Sequence, residues 1–335
     1  MSNYCKYNNV KHQVSYDNGN TWIDLGGVTK GSLSEYGSLD CGYSPASFDG
    51  KYLLSFKDGA IKSGACTSDT VLTHTEVWSF LPDHGLVKED AIGLIIGDCV
   101  RTIGHGLLGN TENTGIKNIY IPSGVTSIEN YAFGSSNLIS LNIPNTVTNI
   151  GPSLCMVSTE LTNITIGSGI TEIPSATCWH CSALTTANIS SGVTKIGDVA
   201  FSYCSSLTSL PNLSSVREIG GQAFENCSGL TGNIVIPNSV TTIGRSAFYG
   251  CNNITSITIG TGITSIGASA LASTSPNIQS VTILATTPPD AEESSFPSVI
   301  PLCPIYVPRN SLNAYKAKYN WPWFVESDRI KPIPN

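Results

Sequence analysis

The tetrapeptide Cys178-Trp179-His180-Cys181 sets two thiols three positions apart with an imidazole between them, a spacing that suits zinc ligation or dithiol redox chemistry. Zinc would need a second ligand pair at comparable spacing, and a redox dithiol would need a βαβ context; the sequence around the motif offers neither. The five histidines, His12, His74, His84, His105 and His180, are dispersed along the chain. No G-x-S-x-G or phosphate-binding glycine loop occurs, and no carboxylate pair recurs at a common position. The expectation is a protein that is not an enzyme and that carries no cofactor and no metal.

One further motif is built for geometry. Ser15-Tyr16-Asp17-Asn18-Gly19-Asn20-Thr21-Trp22 puts Asp17 and Gly19 at a tight turn, with Val14, Ser15, Thr21 and Ile23 favouring strands on either side. Trp22 folds over the turn to bury its ring.

What positions most of the other residues is a repeat. From Leu184, apolar residues fall at Ala187, Ile189, Val193, Ile196, Ala200 and Phe201, with Cys204 ahead of the next leucine, Leu207, so the period is 23 residues. Copies in the same register begin at Ile116, Leu138, Leu161, Leu207, Leu230 and Ile254, and a degenerate first copy runs from Leu94 to Leu108. That makes eight repeats, with Ile278, Val281 and Ile283 opening a ninth strand. One such unit cannot bury its own apolar face, but stacked units line leucine on leucine and phenylalanine on phenylalanine into a continuous core. The L-x-x-I-x-I run predicts a strand, V-T-x-I-G a second short extended segment, and G-x-x-A-F one helical or 3₁₀ turn. Strands about 4.8 Å apart would carry eight repeats over about 40 Å.

The register also accounts for six of the eleven cysteines. Cys181, Cys204, Cys227 and Cys251 share one position and Cys155 and Cys178 occupy the phenylalanine position, so buried free thiols acting as small hydrophobes are expected there. Cys5, Cys41, Cys66, Cys99 and Cys303 stand outside the register, and a pairing among the first three is left open.

The repeat resembles the BspA-type, or treponemal-type, leucine-rich repeat over about residues 91–283. Pro122, Pro144 and Pro237 match that pattern's proline; Gly167 and Gly260 replace it, and the stretch Pro211 to Leu213 departs from it. The motif at Ser15–Trp22 resembles the Asp-box hairpin of sialidases and other β proteins, which implies a structural role away from catalysis. A sialidase would also need an arginine cluster, and residues 1–80 contain no arginine. The DCGY stretch at Asp40–Tyr43, taken with the Asp box, resembles modules that precede such repeats in proteins of gut anaerobes and their phages, and the run from Cys303 to Trp321 resembles the segment that follows them.

The expected fold is a mainly β repeat solenoid with a small N-terminal β domain and a C-terminal cap: residues 1–80 the domain, 81–90 a connector, 91–283 the repeats, 284–335 the cap. Leu86 and Val87 are expected to shield one open end. Ser311 is expected to cap a short helix through Tyr319, and Trp321, Trp323, Phe324 and Ile330 to close the other end.

Only 12% of residues are charged and the net charge is −7 with no Lys/Arg cluster, which removes the electrostatic footprint of a nucleic-acid binder. No run of 18 apolar residues exists, so membrane insertion is not expected. The start, MSNYCKYNNVKHQ, lacks the basic and apolar regions of a secretory signal. Two routes stay open: a leader replaced by Met1, or a chain made in the cytoplasm that reaches its place otherwise.

Function is expected on the outward side of the strands. The candidate binding residues are Lys117, Asn118, Tyr120, Asn142, Thr162, Asn163, Thr165, Thr185, Thr186, Asn188, Thr208, Thr255 and Thr258, a small, polar, uncharged face. Between Ile116 and Ile283 stand only four basic and six acidic residues. The resemblance to BspA-type proteins, which are adhesin-like, implies an extracellular or cell-surface module that recognises a protein or glycan. A phage tail fibre or other virion protein that recognises a bacterial surface is the alternative, and a glycan hydrolase built on the Asp-box domain ranks third.

Overall fold

The computed structural model describes residues 6–8, 13–15, 23–24, 50–56, 61–65, 70–79, 88–109, 114–272, 278–291, 293–296, 303–318, 321 and 328–334. The chain divides into two compact units, Met1–Gly169 and Ile170–Asn335, taken here one at a time.

In the first unit two antiparallel sheets precede the repeat. Lys6–Asn8, Gln13–Ser15 and Ile23–Asp24 form one, and Gln13–Ser15 pairs with Ile23–Asp24 on either side of the Asp box. The box itself, Asp17 to Trp22, lies outside the described residues, as do the DCGY stretch, Leu86 and Val87. In the other sheet Gly50–Phe56 lies between Ile61–Ala65 and Ala91–Ile96, so a strand of the degenerate first repeat completes a sheet begun before the expected connector.

The repeat then forms parallel ladders. Ser140–Ile143 pairs with Asn163–Ile166, Leu141 opposite Ile164 and Ile143 opposite Ile166, an offset of 23 residues. The V-T-x-I-G segments make a second ladder of two-residue strands, Thr102–Ile103, Ser127–Ile128 and Asn149–Ile150, which Val71–Leu72 from before the repeat extends. Inward residues of both ladders are buried, among them Ile103, Ile128, Leu141, Ile143 and Ile164.

The second unit repeats this arrangement. Glu172–Ile173, Lys195–Ile196, Glu218–Ile219, Thr242–Ile243, Ser265–Ile266 and Asp290–Ala291 form a six-stranded parallel ladder. Thr231–Ile236, Asn253–Ile259, Ser280–Ile283, Ile305–Val307 and Ile330–Pro332 form a five-stranded one. Ser280–Ile283 is the ninth strand expected from the period. The sheet then outlasts the period, because Ile305–Val307 and Ile330–Pro332 keep pairing where the sequence repeat has ended. Between Thr186–Ile189 and Thr231–Ile236 the L-x-x-I-x-I segment of the copy starting at Leu207 forms no strand, because Pro211 has no N–H for a ladder, and Leu210 is left half-buried.

The G-x-x-A-F segment corrects the expectation of a helical or 3₁₀ turn. It is a run of tight turns in which left-handed residues recur, Val199 at φ 52° and Tyr203 at φ 61°, then Gln222 at 57° and Asn226 at 56°. Those left-handed residues turn alternate N–H groups outward to the next repeat, where a helix would have kept them internal. The result is a third ladder: Cys178 N donates to Ala200 O at 2.7 Å, and Phe201, Phe224 and Phe248 N donate to Ala223, Ala247 and Ala270 O, each at 2.8 Å. The close approach favours the glycine that follows the isoleucine in most copies, since a Cβ on Gly244 would sit 2.5 Å from Gly221 N.

Inside that ladder the phenylalanines stack, Phe201 on Phe224 at 5.5 Å and Phe224 on Phe248 at 5.4 Å between ring centroids. The cysteine column is buried and forms no disulfide, as expected. Its thiols also close a bond that the sequence does not reveal: Cys204, Cys227 and Cys251 Sγ donate to the carbonyls of Cys178, Phe201 and Phe224, at 3.0 to 3.1 Å. Burial pushes the Cys251 thiol up to about 12 and raises Cys227 well above its usual range, so neither is a nucleophile near neutral pH.

The C-terminal end closes on Phe296, Tyr315 and Trp321, all buried. The Tyr315 hydroxyl donates to Ala285 O at 2.8 Å and Trp321 Nε1 to Pro289 O at 3.0 Å, so each large ring is tied to backbone of the last turn. The helix runs Leu312–Ala317, shorter than expected, and the Ser311 side chain makes no capping bond. Trp323 and Phe324 lie outside the described residues. Cys99 is disulfide-bonded.

Phe224→Ala empties the middle of the ring stack and is expected to cost about 3–5 kcal/mol, read as a lower denaturant midpoint; an unchanged midpoint would mean the stack contributes no packing energy. Cys204→Ser keeps a donor for Cys178 O and is expected to cost only about 1 kcal/mol, measured in the same way.

Candidate functional site

Two surfaces bring functional side chains together. The first is the outward side of the strands, where alternation along each strand turns every second side chain away from the core. In the first unit Asn142 and Asn163 are exposed, while Lys117, Asn118, Tyr120, Thr162 and Thr165 are half-buried. Much of their polarity is already used. Ser140 Oγ donates to Asn118 Oδ1 at 2.9 Å, Asn163 Nδ2 donates to Thr162 Oγ1 at 3.2 Å, and Thr162 Oγ1 donates to Ile139 O at 3.0 Å. Lys117 is ion-paired with Glu160 at the edge.

In the second unit Thr185, Thr186, Asn188 and Thr208 are exposed, and Thr255 and Thr258 half-buried. Thr208 sits just before Pro211, in the segment that forms no strand, where its hydroxyl donates to Thr185 O at 3.4 Å. Asn233 Oδ1 accepts from Ser256 Oγ at 2.9 Å and from Thr258 Oγ1 at 3.5 Å. Apart from the bond between Asn163 and Thr162, each of these joins one repeat to the next, so the outward side in each unit is a set of pre-paired polar columns. A large aliphatic side chain stands out in each unit, Ile139 at 39% exposure in the first and Val235 at 58% in the second. Their strand positions were legible as outward, but sequence alone did not separate them from the polar residues beside them.

The second surface is one that sequence reasoning missed. His74 and His105, read as dispersed, line the same cleft of about 490 Å³ in the first unit, with Thr73, Thr75, Gly106, Gly109, Glu129 and Tyr131. His74 opens the helix His74–Trp78, which starts with a capping box: Glu76 N donates to Thr73 Oγ1 at 3.2 Å, and Thr73 N donates to Glu76 Oε2 at 2.8 Å. The signal Thr73-x-x-Glu76 was present in the sequence. Trp78 anchors the helix by donating from Nε1 to Leu107 O at 2.7 Å. His105 and Glu129 come from successive turns of the repeat, and His105 N donates to Glu129 Oε2 at 2.8 Å. Tyr131 follows on the same turn, its ring 6.4 Å from that of His105.

The Lys88 Nζ group lies 3.0 Å from His74 Nε2 and 5.5 Å from the Trp78 ring centroid. An ammonium has only donors, so Nε2 accepts and the neutral ring carries its proton on Nδ1. Burial first, and then the charges of Lys88 and His105, hold His74 below its ordinary value of 6.5.

Of the sequence-marked motif, Cys178 and Cys181 are buried with their sulfurs within 4.8 Å of each other. Trp179 and His180 instead face outward to an aromatic cluster, His180 stacking on Tyr203 at 4.3 Å and 6°.

A family model described as the BspA type leucine-rich repeat region matches residues 101–231 and 228–318, in six copies. No curated protein sequence matches the chain. Among solved structures the chain is similar to a leucine-rich repeat protein of Eubacterium ventriosum, with 26% identity over 60% of this chain and 50% of that one and a TM-score of 0.43. It is also similar to the pneumococcal vaccine antigen PcpA, with 18% identity over 70% of this chain and 64% of that one and a TM-score of 0.44. A leucine-rich repeat protein of T. pallidum shows 27% identity over 52% of this chain and 81% of that one, with a TM-score of 0.37. The chain therefore spans half to under two-thirds of the length of the first two.

The His74 imidazole is expected to titrate below 6.5 in an NMR titration, and Lys88→Met is expected to move its midpoint upward. Since the folded value is the lower one, the unfolded chain binds more protons, and stability is lost as pH falls below about 6.5. A midpoint unmoved by Lys88→Met would remove the ammonium as a cause.

Proposed function

Because this chain belongs to the BspA-type leucine-rich repeat family, we propose that it is a non-enzymatic recognition module that works outside the cell and binds a partner protein through the outward face of its strands. The observation that carries this reading is Val235, an aliphatic side chain left 58% exposed on a strand of small uncharged residues. A protein interface is depleted of charge at its centre and takes its energy from a few desolvated apolar anchors. Val235 in one unit and Ile139 in the other fit that role, and the pre-paired columns beside them can be covered with little loss of hydrogen bonding to water. The Cys99 disulfide supports an oxidising compartment, as expected for a secreted or surface protein. Among the described residues no helix is long and apolar enough to cross a membrane.

Binding of the labelled protein to intact mammalian and bacterial cells, before and after protease treatment of those cells, tests this reading. Binding is expected to disappear with the treatment and to fall at least tenfold for Val235→Arg, about 1.4 kcal/mol or more. Ile139→Arg gives the matching test in the other unit. Binding that survives protease and both substitutions would transfer recognition to another surface and another class of ligand.

A further inference from the structure

We propose that the cleft between the helix His74–Trp78 and the first turns of the repeat binds a neutral pyranose ring of a glycan, with Tyr131 as its platform. This site is separate from the strand face. At about 490 Å³ the cleft lies within the range of small-ligand sites.

Tyr131 is held as a rigid wall. A Cβ on Gly134 would lie 2.0 Å from its ring and one on Gly109 3.1 Å, so two glycines at the same position of successive repeats leave the slot that the ring fills. Its backbone is left-handed at φ 57°, and its hydroxyl donates to Ser135 Oγ at 2.7 Å, which anchors the far end of the ring. A sugar presents an apolar C–H face and a rim of hydroxyls, so it needs a fixed aromatic surface together with a mixture of donors and acceptors.

The rim supplies that mixture. The Thr75 hydroxyl, the ring nitrogens of His105, Nδ1 of His74 and the second oxygen of the Glu129 carboxylate have no protein partner among the described residues. The Thr73 hydroxyl and amide are taken by the capping box and contribute nothing. The carboxylates of Glu129 and of Glu76, whose Oε2 is bound to Thr73, outnumber the Lys88 ammonium behind His74, so an anion gains no attractive field there. Because Nε2 accepts from Lys88, His74 offers a neutral N–H, which matches a hydroxyl better than an anion.

The test uses the full-length ¹⁵N-labelled protein and the methyl glycosides of mannose, galactose and N-acetylglucosamine, with N-acetylneuraminate as the charged comparison. At least one neutral glycoside is expected to show saturation transfer from the protein and to shift the His74 and His105 imidazole resonances. His105→Ala and Glu129→Gln, both on exposed side chains, are each expected to weaken that binding at least fivefold while circular dichroism stays unchanged. Val235→Arg is expected to leave it unchanged, which keeps this result independent of the strand face. The proposal is overturned if no neutral glycoside shifts those imidazoles, if only N-acetylneuraminate does, or if both cleft variants bind as the parent does.

Discussion

The structure depends on backbone pairing between successive turns about 4.8 Å apart. Each turn of the repeat leaves its N–H and C=O groups pointing along the stack, and they are satisfied only if the next turn presents the matching groups in register. Isoleucine therefore sits opposite isoleucine, as Ile173 does to Ile196 and Ile196 to Ile219. At the G-x-x-A-F turn the same demand forces left-handed residues, and apart from a few such as Asn226 and Gly250 they are not of types that favour that region. Val199, His180 and Tyr203 accept an unfavourable φ because each thereby gains an inter-turn hydrogen bond.

Two consequences follow from that spacing. Side chains repeated at one position are brought within contact distance, which turns a phenylalanine column into a ring stack and lets a cysteine thiol reach a carbonyl of the repeat before it. The pairing also has no natural end, so each unit needs something to terminate it. At the C-terminal side the strands Ile305–Val307 and Ile330–Pro332 continue the sheet without the repeat sequence, and Tyr315 and Trp321 then cover the last apolar turn. In the first unit the helix carrying Val77 and Trp78 packs on the repeat through the indole bond to Leu107 O.

The candidate sites inherit their character from the same constraint. Stacking aligns outward threonines and asparagines so that they bond one another, and this lowers their capacity to select a ligand and raises the relative weight of Ile139 and Val235. The cleft has the opposite origin. It forms where the regular stack meets the helix before it, and there Glu129 stands where most copies have glycine after the isoleucine, and its carboxylate binds the His105 amide of the preceding turn.

The sequence by itself determined the solenoid, its 23-residue register, the two strand ladders and the buried cysteine column, because these depend on the identity and spacing of apolar residues within one repeat. It also marked the outward columns. It could not reveal that Pro211 removes one strand from the sheet, that Ile330–Pro332 adds one without any periodic signal, or that the last turn of each repeat is built from left-handed residues, since those outcomes rest on which N–H groups find partners in a neighbouring turn. The meeting of His74 with His105 was likewise decided only by tertiary structure. Thirty-one positions separate them in the chain, and what joins them is the parallel pairing of Val71–Leu72 with Thr102–Ile103, a contact between a segment outside the period and one within it.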